Sequence, residues 1–456
     1  MVTSSAFLFT LSFSLIALMI LSLGVWLYGS ALWAAFDYQL HASPEIDHEF
    51  HPKLSLLLPL HDLGDQGLVN RNRDNQGETL HPDLYANLRS FCQQDYPHYQ
   101  IIFAVSSTDF AALEVVQQLM QQFPEQEIQL VVSEQKMTCL ARTPLLSQAM
   151  AAAQYGLLVV SAPEIRVGAD YLQQMVQPFR YPGIGLVSCP LRSQADQWAV
   201  THCITDRRIT DRRITDRRMN WVTWGNRLEA LMTATIWHPL MLMDRRSAHL
   251  QLPVGDTFAI RRDVLLLLGG FEAITPESTI DCSLGSQLAQ IGYRALLSPY
   301  VVEIQLRPAS LQQVWQHQLQ SLKGLTDRSR LYYGMITSLP LLGLGLGLEL
   351  GLGLGCGELG WFCGLSLWSL RFGLAFGVGR GCLQEPALQR NWWLLPIADL
   401  LSFSICCTSW RPSLSWRQSW LLHTDDGLEL HRSRLYASSL LPDLPDLLPE
   451  TVLDEL

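Results

Sequence analysis

The feature that most restricts the fold of this chain is its uncharged amino terminus. From Met1 to Phe36 the sequence contains no charged residue, and its apolar core is longer than the ~20 residues that span a bilayer as a helix. A signal peptide is the competing interpretation, but the run is too long for one and lacks a basic segment before it. We therefore predict a retained transmembrane anchor over residues 6–36.

Two further apolar runs near the carboxyl terminus indicate more membrane segments. The first extends from Tyr333 to about Leu383 and is interrupted by four charged residues, Glu349, Glu358, Arg371 and Arg380. The second, NWWLLPIADLLSFSICCTSW, opens with a tryptophan pair suited to a membrane interface. Together they predict a transmembrane region over residues 335–410 with two or three spans, and we expect no paired buried charges within it.

Composition narrows the partners and the compartment. The net charge of −10 argues against nucleic acid as a partner. Much of the acidic excess lies in residues 438–456, which we predict to be a solvated, disordered tail. None of the ten cysteines has the spacing of a CxxC or zinc motif, so we interpret them as packing residues in a reducing compartment.

Between the membrane segments, strand and helix patterns alternate. The apolar runs KLSLLLPL, QIIFAVSS, EIQLVVS and LLVV predict buried strands. Between them lie the helical patterns DLYANLRSFCQQ, DFAALEVVQQLMQQF and TPLLSQAMAAAQY, the second with Asp109 as its N-cap. This alternation predicts a parallel, doubly wound sheet, with functional residues just after the strands.

The last of these strands breaks abruptly, in the stretch LLVVSAPEIRV. Its carboxyl end is followed by Ala162, Pro163 and Glu164, at a place where ligands collect in an α/β sheet. A metal site would favour two carboxylates there, and the sequence supplies one.

Three other segments stand out. Residues 204–218 are three copies of ITDRR, which would serve either as a basic strip for anionic lipid headgroups or as a tolerated surface insertion, the interpretation we favour. A Gly-Leu repeat follows Leu342 and, if helical, would allow close helix packing. Residues 221–243 hold three tryptophans and are either an interfacial segment or part of the core.

Seven stretches resemble, in order, the processive-type family-2 fold of glycosyltransferases, and specifically its ceramide glucosyltransferase branch with the hopanoid-associated relatives. They are LLLPLHDL, LYANLRSFCQQDYPHYQIIFAV, EIRVGADYLQQMVQPF, PGIGLVSC, GDTFAIRRDVLLLLGGFEAI, LGSQLAQIGYRALLSPYVVE and WWLLPIADLLSF. The resemblance implies an α/β, Rossmann-like glycosyltransferase-A domain over residues 50–330, with the N-terminal transmembrane anchor and the C-terminal membrane spans on either side.

This resemblance also implies a reaction. A hexose would pass with inversion from a nucleotide sugar, such as a UDP-sugar, to a lipid acceptor such as ceramide or a hopanoid-like lipid, with Mg²⁺ or Mn²⁺ offsetting the diphosphate charge. The catalytic domain would face the cytoplasm, and Lys53, Arg71 and Arg73 after the first span agree with that orientation.

The catalytic groups that the resemblance implies are only partly present. The aspartate that contacts the nucleotide base aligns with Ser107, and Asp109 lies two residues on. The metal motif aligns with Ala162-Pro163-Glu164, which leaves Glu164 as the metal ligand. The general base aligns with Asp281.

The groups that would bind the diphosphate are altered as well. The Gln-x-x-Arg-Trp motif, which in the family binds the diphosphate and lines the acceptor site, falls on QHQLQSLK, where Gln320 and Ser321 replace the Arg-Trp pair. His317, Gln318 and Lys323 lie nearby, and Arg142 and Arg166 stand at two other positions of the family's nucleotide site. For Arg166, a surface salt bridge is the equal alternative to phosphate binding.

The sequence is compatible with three functions. The first is an active lipid-directed glycosyltransferase. The second is a catalytically inactive homologue that binds or scaffolds a lipid-modifying partner, which the altered motifs favour. The third, a small-molecule transporter, is disfavoured because the soluble domain dominates and the spans are expected to lack paired charges.

Overall fold

The computed structural model of the protein describes residues 2–40, 46–60, 82–106, 109–133, 142–193, 224–244, 257–273, 280–305, 310–323, 325, 327–353 and 357–409. The ITDRR repeat, the acidic tail and Ser107 lie outside these residues. The elements up to Cys406 belong to one compact unit.

The described residues form ten strands and thirteen main helices, besides four short 3₁₀ or π segments at Gln177–Arg180, Phe271–Ala273, Gly377–Cys382 and Trp392–Leu394. The strands are β1 (Leu54–Leu60), β2 (Tyr99–Ser106), β3 (Glu127–Ser133), β4 (Leu157–Ser161), β5 (Ile165–Arg166), β6 (Ile184–Ser188), β7 (Leu191–Ser193), β8 (Thr257–Arg261), β9 (Arg294–Leu297) and β10 (Val302–Ile304). The helices of the soluble part are α2 (Pro82–Cys92), α3 (Phe110–Gln122), α4 (Arg142–Ala152), α5 (Tyr171–Val176), α6 (224–244), α7 (Arg262–Leu267), α8 (Ile280–Gln290) and α9 (Leu311–Lys323). The long or apolar helices are α1 (Val2–Leu40), α10 (Asp327–Gly353), α11 (Gly357–Phe376), α12 (Pro386–Asn391) and α13 (Leu395–Ser409).

Seven strands form the central sheet in the order β3-β2-β1-β4-β8-β6-β9. The pairs among β3, β2, β1 and β4 are all parallel, which confirms the predicted sheet for this half. Every residue of β1 is buried, and alternate side chains enter two different apolar cores, as a sheet covered on both faces requires. The predicted strands and helices of this half are thus confirmed.

The other half of the sheet departs from the parallel prediction at β8. This strand runs antiparallel to both β4 and β6, with Thr257 beside Ser161 and Arg261 beside Leu157. It therefore enters the sheet at the carboxyl end of β4.

A second, three-stranded sheet has the order β5-β10-β7. Strand β10 is antiparallel to β5 and parallel to β7. Because β5 begins one residue after Glu164, this small sheet holds the chain that leaves the carboxyl end of β4.

Three described helical segments are long and apolar enough to cross a membrane: Ser14–Leu40, Gly360–Cys382 and Pro386–Ser409. The first agrees with the predicted anchor, and the other two fall inside the predicted C-terminal region. Helix α10 packs closely on α11 through glycine, because a Cβ on Gly364 would lie 2.6 Å from Gly343 O. Gly343, at the start of the Gly-Leu repeat, thus makes the close helix contact that a helical repeat would allow.

Helix α6, within the segment predicted as either interfacial or core, is buried against the membrane helices. Its residues Leu228, Leu231 and Leu240 belong to the same apolar cluster as Leu27 of α1 and Leu374 of α11. The anchor is fixed at its other end as well, since Tyr38 Oη donates to Ser298 O at 2.7 Å. Helices α6 and α9 therefore share one apolar cluster with α1 and the C-terminal helices, and this cluster is separate from the two that flank the sheet.

Candidate functional site

The site begins at the carboxyl edge of the sheet, where β1, β2 and β4 end side by side. After β4 the chain makes a tight turn in which Ile165 N donates to Ala162 O at 3.2 Å. Pro163 occupies the second position of this turn, which its fixed φ favours. Ala162 and Pro163 are buried, and Glu164 is partly exposed, so the turn presents one carboxylate at this edge.

Neighbouring elements hold this turn rigidly. Asn87 of α2 donates its Nδ2 to Pro163 O at 3.2 Å. On the other side, Gln305 N donates to Glu164 O at 3.0 Å, which extends the β10 ladder past β5. The backbone that carries Glu164 is thus hydrogen-bonded on both sides.

Arg166 contributes to the same arrangement. Its Nε donates to Asn87 Oδ1 at 3.2 Å, and Asn87 is 1% exposed. Asn87 therefore bonds to the turn with its amide nitrogen and to Arg166 with its amide oxygen. The sequence did not predict a role for Asn87. The available signal was a polar residue next to Leu88 on the apolar side of the helical pattern.

At the end of β2, Asp109 has a structural role. Its Oδ1 accepts from Ala112 N at 3.2 Å and caps α3, as predicted. The next residue, Phe110, is 78% exposed, the highest value among the large apolar side chains of the described residues. An exposed aromatic ring at a ligand-binding edge is a feature that the sequence analysis did not single out.

Helix α9 carries the predicted diphosphate-binding residues, and three of them share its exposed side. His317, Gln320 and Lys323 are spaced by three residues and are exposed, whereas Gln318 is buried. Gln318 Oε1 accepts from Trp237 Nε1 of α6 at 2.7 Å.

His317 is bonded to a carboxylate that the sequence analysis missed. Its Nδ1 lies 2.7 Å from Oε1 of Glu229, a nearly buried residue of α6. A carboxylate partner fixes the orientation of an imidazole ring. Glu229 lies in an apolar helix, and only the fold brings it to His317, 88 residues along the chain.

For Asp281 and Arg142 the structure gives the position of the residue along its helix. Asp281 lies in the first turn of α8, and Arg142 is the first residue of α4. Both side chains lie outside what the structure describes. Of the predicted residues, the structure groups His317, Gln320 and Lys323 on α9 and places Glu164 and Arg166 together after β4.

One buried histidine joins α6 to the small sheet. His238 Nδ1 donates to Thr233 O at 2.8 Å, and Nε2 accepts from Leu191 N of β7 at 3.2 Å. Burial lowers the pKa of His238 to about 4, with the bond to Thr233 opposing the shift. The ring is therefore neutral at pH 7, in the one tautomer that satisfies both bonds.

The described residues offer limited support for a metal. Within the described parts of the chain, no three His, Cys, Asp or Glu side chains form a group that could hold a metal ion. A divalent ion bound largely through diphosphate oxygens needs one or two carboxylates from the protein. Glu164, on its rigid turn, meets the lower of these requirements.

The seven-stranded sheet and three helical segments long and apolar enough to cross a membrane define an α/β protein with candidate membrane spans, and a family model identifies its class. The family model of glycosyl transferase family 21 matches residues 79–204 and 216–427, well over half of the chain. The protein therefore belongs to glycosyl transferase family 21 and is a glycosyltransferase.

Several solved structures are also similar, at low identity. Mannosyltransferase PcManGT from Pyrobaculum calidifontis, in complex with GDP-Man and Mn²⁺, is 14% identical, with 88% of this chain and 100% of that chain covered and a TM-score of 0.46. Glucosyl-3-phosphoglycerate synthase from Mycobacterium tuberculosis, with Mn²⁺, UDP and phosphoglyceric acid, is 14% identical over 63% and 78% of the two chains, with a TM-score of 0.32. TarS 1–349 from S. aureus is 12% identical over 80% and 92%, with a TM-score of 0.33.

Proposed function

We propose that the protein transfers a hexose, with inversion, from a UDP-sugar to a lipid acceptor such as ceramide or a hopanoid-like lipid, on the cytoplasmic face of the membrane. One observation carries the lipid acceptor. Leu322 of α9, the helix that aligns with the acceptor-site motif, lies in the same apolar cluster as Leu27 and Leu374 of the membrane helices. An acceptor with an acyl chain could reach α9 without leaving an apolar environment.

The donor would lie across the carboxyl ends of β2, β1 and β4. Neighbouring strands are about 4.8 Å apart, so the ends of β2 and β4 are on the order of 10 Å apart. The base would stack on Phe110 beside β2, while the diphosphate would lie near Glu164 beside β4. In the family an aspartate contacts the nucleotide base, but here Ser107 aligns with that aspartate and Asp109 caps α3. Stacking on Phe110 would take the place of that contact.

The chemistry follows from these roles. Asp281 accepts the proton of the acceptor hydroxyl, the acceptor oxygen bonds to the anomeric carbon, and the bond from that carbon to the diphosphate breaks. His317, Gln320 and Lys323 on α9, with Arg142 and Arg166, would bind the leaving diphosphate. Mg²⁺ or Mn²⁺ held by Glu164 would offset the charge that develops there.

The second candidate is a catalytically inactive homologue that acts as a binding or scaffold protein. Buried Ala162 and Pro163 favour it, since they occupy positions where the resemblance implies polar metal-binding residues.

One experiment separates the two. The full chain in lipid nanodiscs containing ceramide is incubated with UDP-glucose or UDP-galactose and Mn²⁺, and transfer and thermal stability are both measured. The first proposal expects that the nucleotide sugar raises Tm and that Asp281→Asn abolishes transfer without lowering Tm in the absence of nucleotide.

Asp95→Asn is the matched control, because Asp95 is exposed in the turn before β2, at the amino end of that strand. It should leave transfer unchanged. If millimolar nucleotide sugar with Mn²⁺ leaves Tm unchanged, the enzyme proposal fails and the scaffold proposal remains.

A further inference from the structure

The membrane helices contain a fully buried ion pair. Arg371 of α11 and Asp399 of α13 are both 0% exposed, and their side chains form two bonds, Nε to Oδ2 at 3.0 Å and Nη2 to Oδ1 at 2.6 Å. This overturns the expectation that the spans lack paired buried charges. The two residues lie in separate apolar runs, and only the packing of α11 against α13 brings them together.

The same guanidinium also bonds to α6. Nη1 donates to Thr235 O at 3.0 Å, and Nη2 lies 3.2 Å from Thr235 Oγ1. Thr235 lies in a π-helical turn, Thr233–Trp237, where the regular α-helical bonding is interrupted. Arg371 therefore donates a hydrogen bond to a backbone carbonyl in the irregular turn of this helix.

The residues next to Thr235 connect this turn to the transferase domain. Trp237 bonds to Gln318 of α9, and His238 bonds to Leu191 of β7. Strand β7 pairs with β10, which pairs with β5 immediately after Glu164. A continuous set of bonded elements thus extends from Asp399 in the membrane to both α9 and the Glu164 turn.

We propose that Arg371 is a positioning residue for the acceptor side of the transfer site. The inference rests on the proposed function in one respect, the role of α9 at the acceptor. Arg371 holds the π turn, and the π turn in turn sets where α9 and β7 stand relative to the bilayer. The fork geometry of arginine is required, because it bonds to two carboxylate oxygens and to Thr235 at once, whereas a lysine at this position would keep the charge and lose the fork.

Stability and positioning can be separated by replacing the pair with apolar residues. Apolar replacement of a buried ion pair is often neutral for stability, so Arg371→Met combined with Asp399→Leu should fold. Arg371→Lys is the second variant, which retains the charge opposite Asp399. Arg380→Met is the control, since Arg380 lies on the same polypeptide span and is exposed.

The full chain in nanodiscs is compared by hydrogen exchange and by acceptor kinetics. We expect faster exchange in residues 224–244 and 311–323 of both variants, with residues 99–122 unchanged. The kcat/KM for the lipid acceptor should fall about 10- to 100-fold, as misplacement of a reacting group by about 1 Å predicts, while the KM for the UDP-sugar stays the same.

Unchanged exchange in α6 and α9 of the folded variants would overturn the inference, and so would a uniform increase across the domain. If the double variant does not fold, Arg371→Lys decides the question by the same two measurements. The exchange measurement does not depend on sugar transfer. A protein without transferase activity would therefore refute the proposed function and still leave the positioning role open to confirmation or refutation.

Discussion

Two regions of the molecule place charged side chains differently with respect to solvent. In the membrane helices, Arg371 and Asp399 satisfy each other and Thr235 with no exposure to solvent. At the sheet edge, Glu164 is the one acidic residue of its turn and is partly exposed. A charge that is removed from water must be paired within the protein, whereas a partly exposed charge is also solvated by water.

The largest effect should come from breaking the membrane pair. Asp399→Leu leaves the Arg371 charge buried without its carboxylate, so we expect a loss of about 3–5 kcal/mol in stability. The measurement is the unfolding midpoint in detergent micelles. Combining it with Arg371→Met should restore most of the loss, and a double variant as unstable as the single one would show that the charges are not coupled.

The second prediction concerns the pH dependence of stability that His238, the residue joining α6 to β7, should produce. Its pKa is about 4 in the folded protein and about 6.5 when unfolded, so the unfolded state binds the extra proton first as pH falls. Stability should therefore be constant above pH 6.5 and fall by about 3 kcal/mol towards pH 4. Unfolding midpoints across that range test it. A His238→Asn variant, less stable at pH 7, should lose this part of the pH dependence.

A smaller effect is expected at the edge itself. Asn87→Ala removes the side chain that bonds to Pro163 O and Arg166 Nε, which should cost about 1–3 kcal/mol. Because this change frees the turn that bears Glu164, the KM for the nucleotide sugar should rise as well. Gln93→Ala, at an exposed position beyond the same helix, is the control. An unchanged KM in a destabilised Asn87→Ala protein would mean that the turn does not contact the donor.

The smallest stability change should occur at the end of β2. Asp109→Ala removes the N-cap of α3 and should cost about 1 kcal/mol, while Asp109→Asn keeps the cap. Phe110→Ala should leave stability unchanged, because the ring is exposed, yet weaken UDP binding measured by calorimetry. Equal UDP affinity in Phe110→Ala would remove the stacking proposal.

The sequence was sufficient for the features that depend on local pattern. Apolar runs such as Leu54–Leu60 predicted the strands, because a strand buried on both faces has to be apolar throughout. The antiparallel direction of β8 could not be predicted, since an apolar strand has the same composition whichever way it runs. Its direction depends on the edge at which the preceding chain enters the sheet.

The same limit applies to the sites. The sequence predicts Glu164 as a site residue because the turn is local and follows a strand, and the structure shows the turn while the role stays a prediction. It did not identify the Arg371–Asp399 pair or the Glu229–His317 pair, which join residues 28 and 88 positions apart. The two partners of each pair lie on different helices. Which residues pair depends on how the helices pack, and the sequence around either partner does not indicate it.

The bond between Tyr38 and Ser298 has a consequence for the lipid surroundings. Ser298 N also donates to Ser188 O at 2.7 Å, so the end of the first span is joined directly to the central sheet. If that helix spans a bilayer, the sheet would move with it. A bilayer thicker or thinner than the span would then tilt the helix and the sheet together, or deform around them.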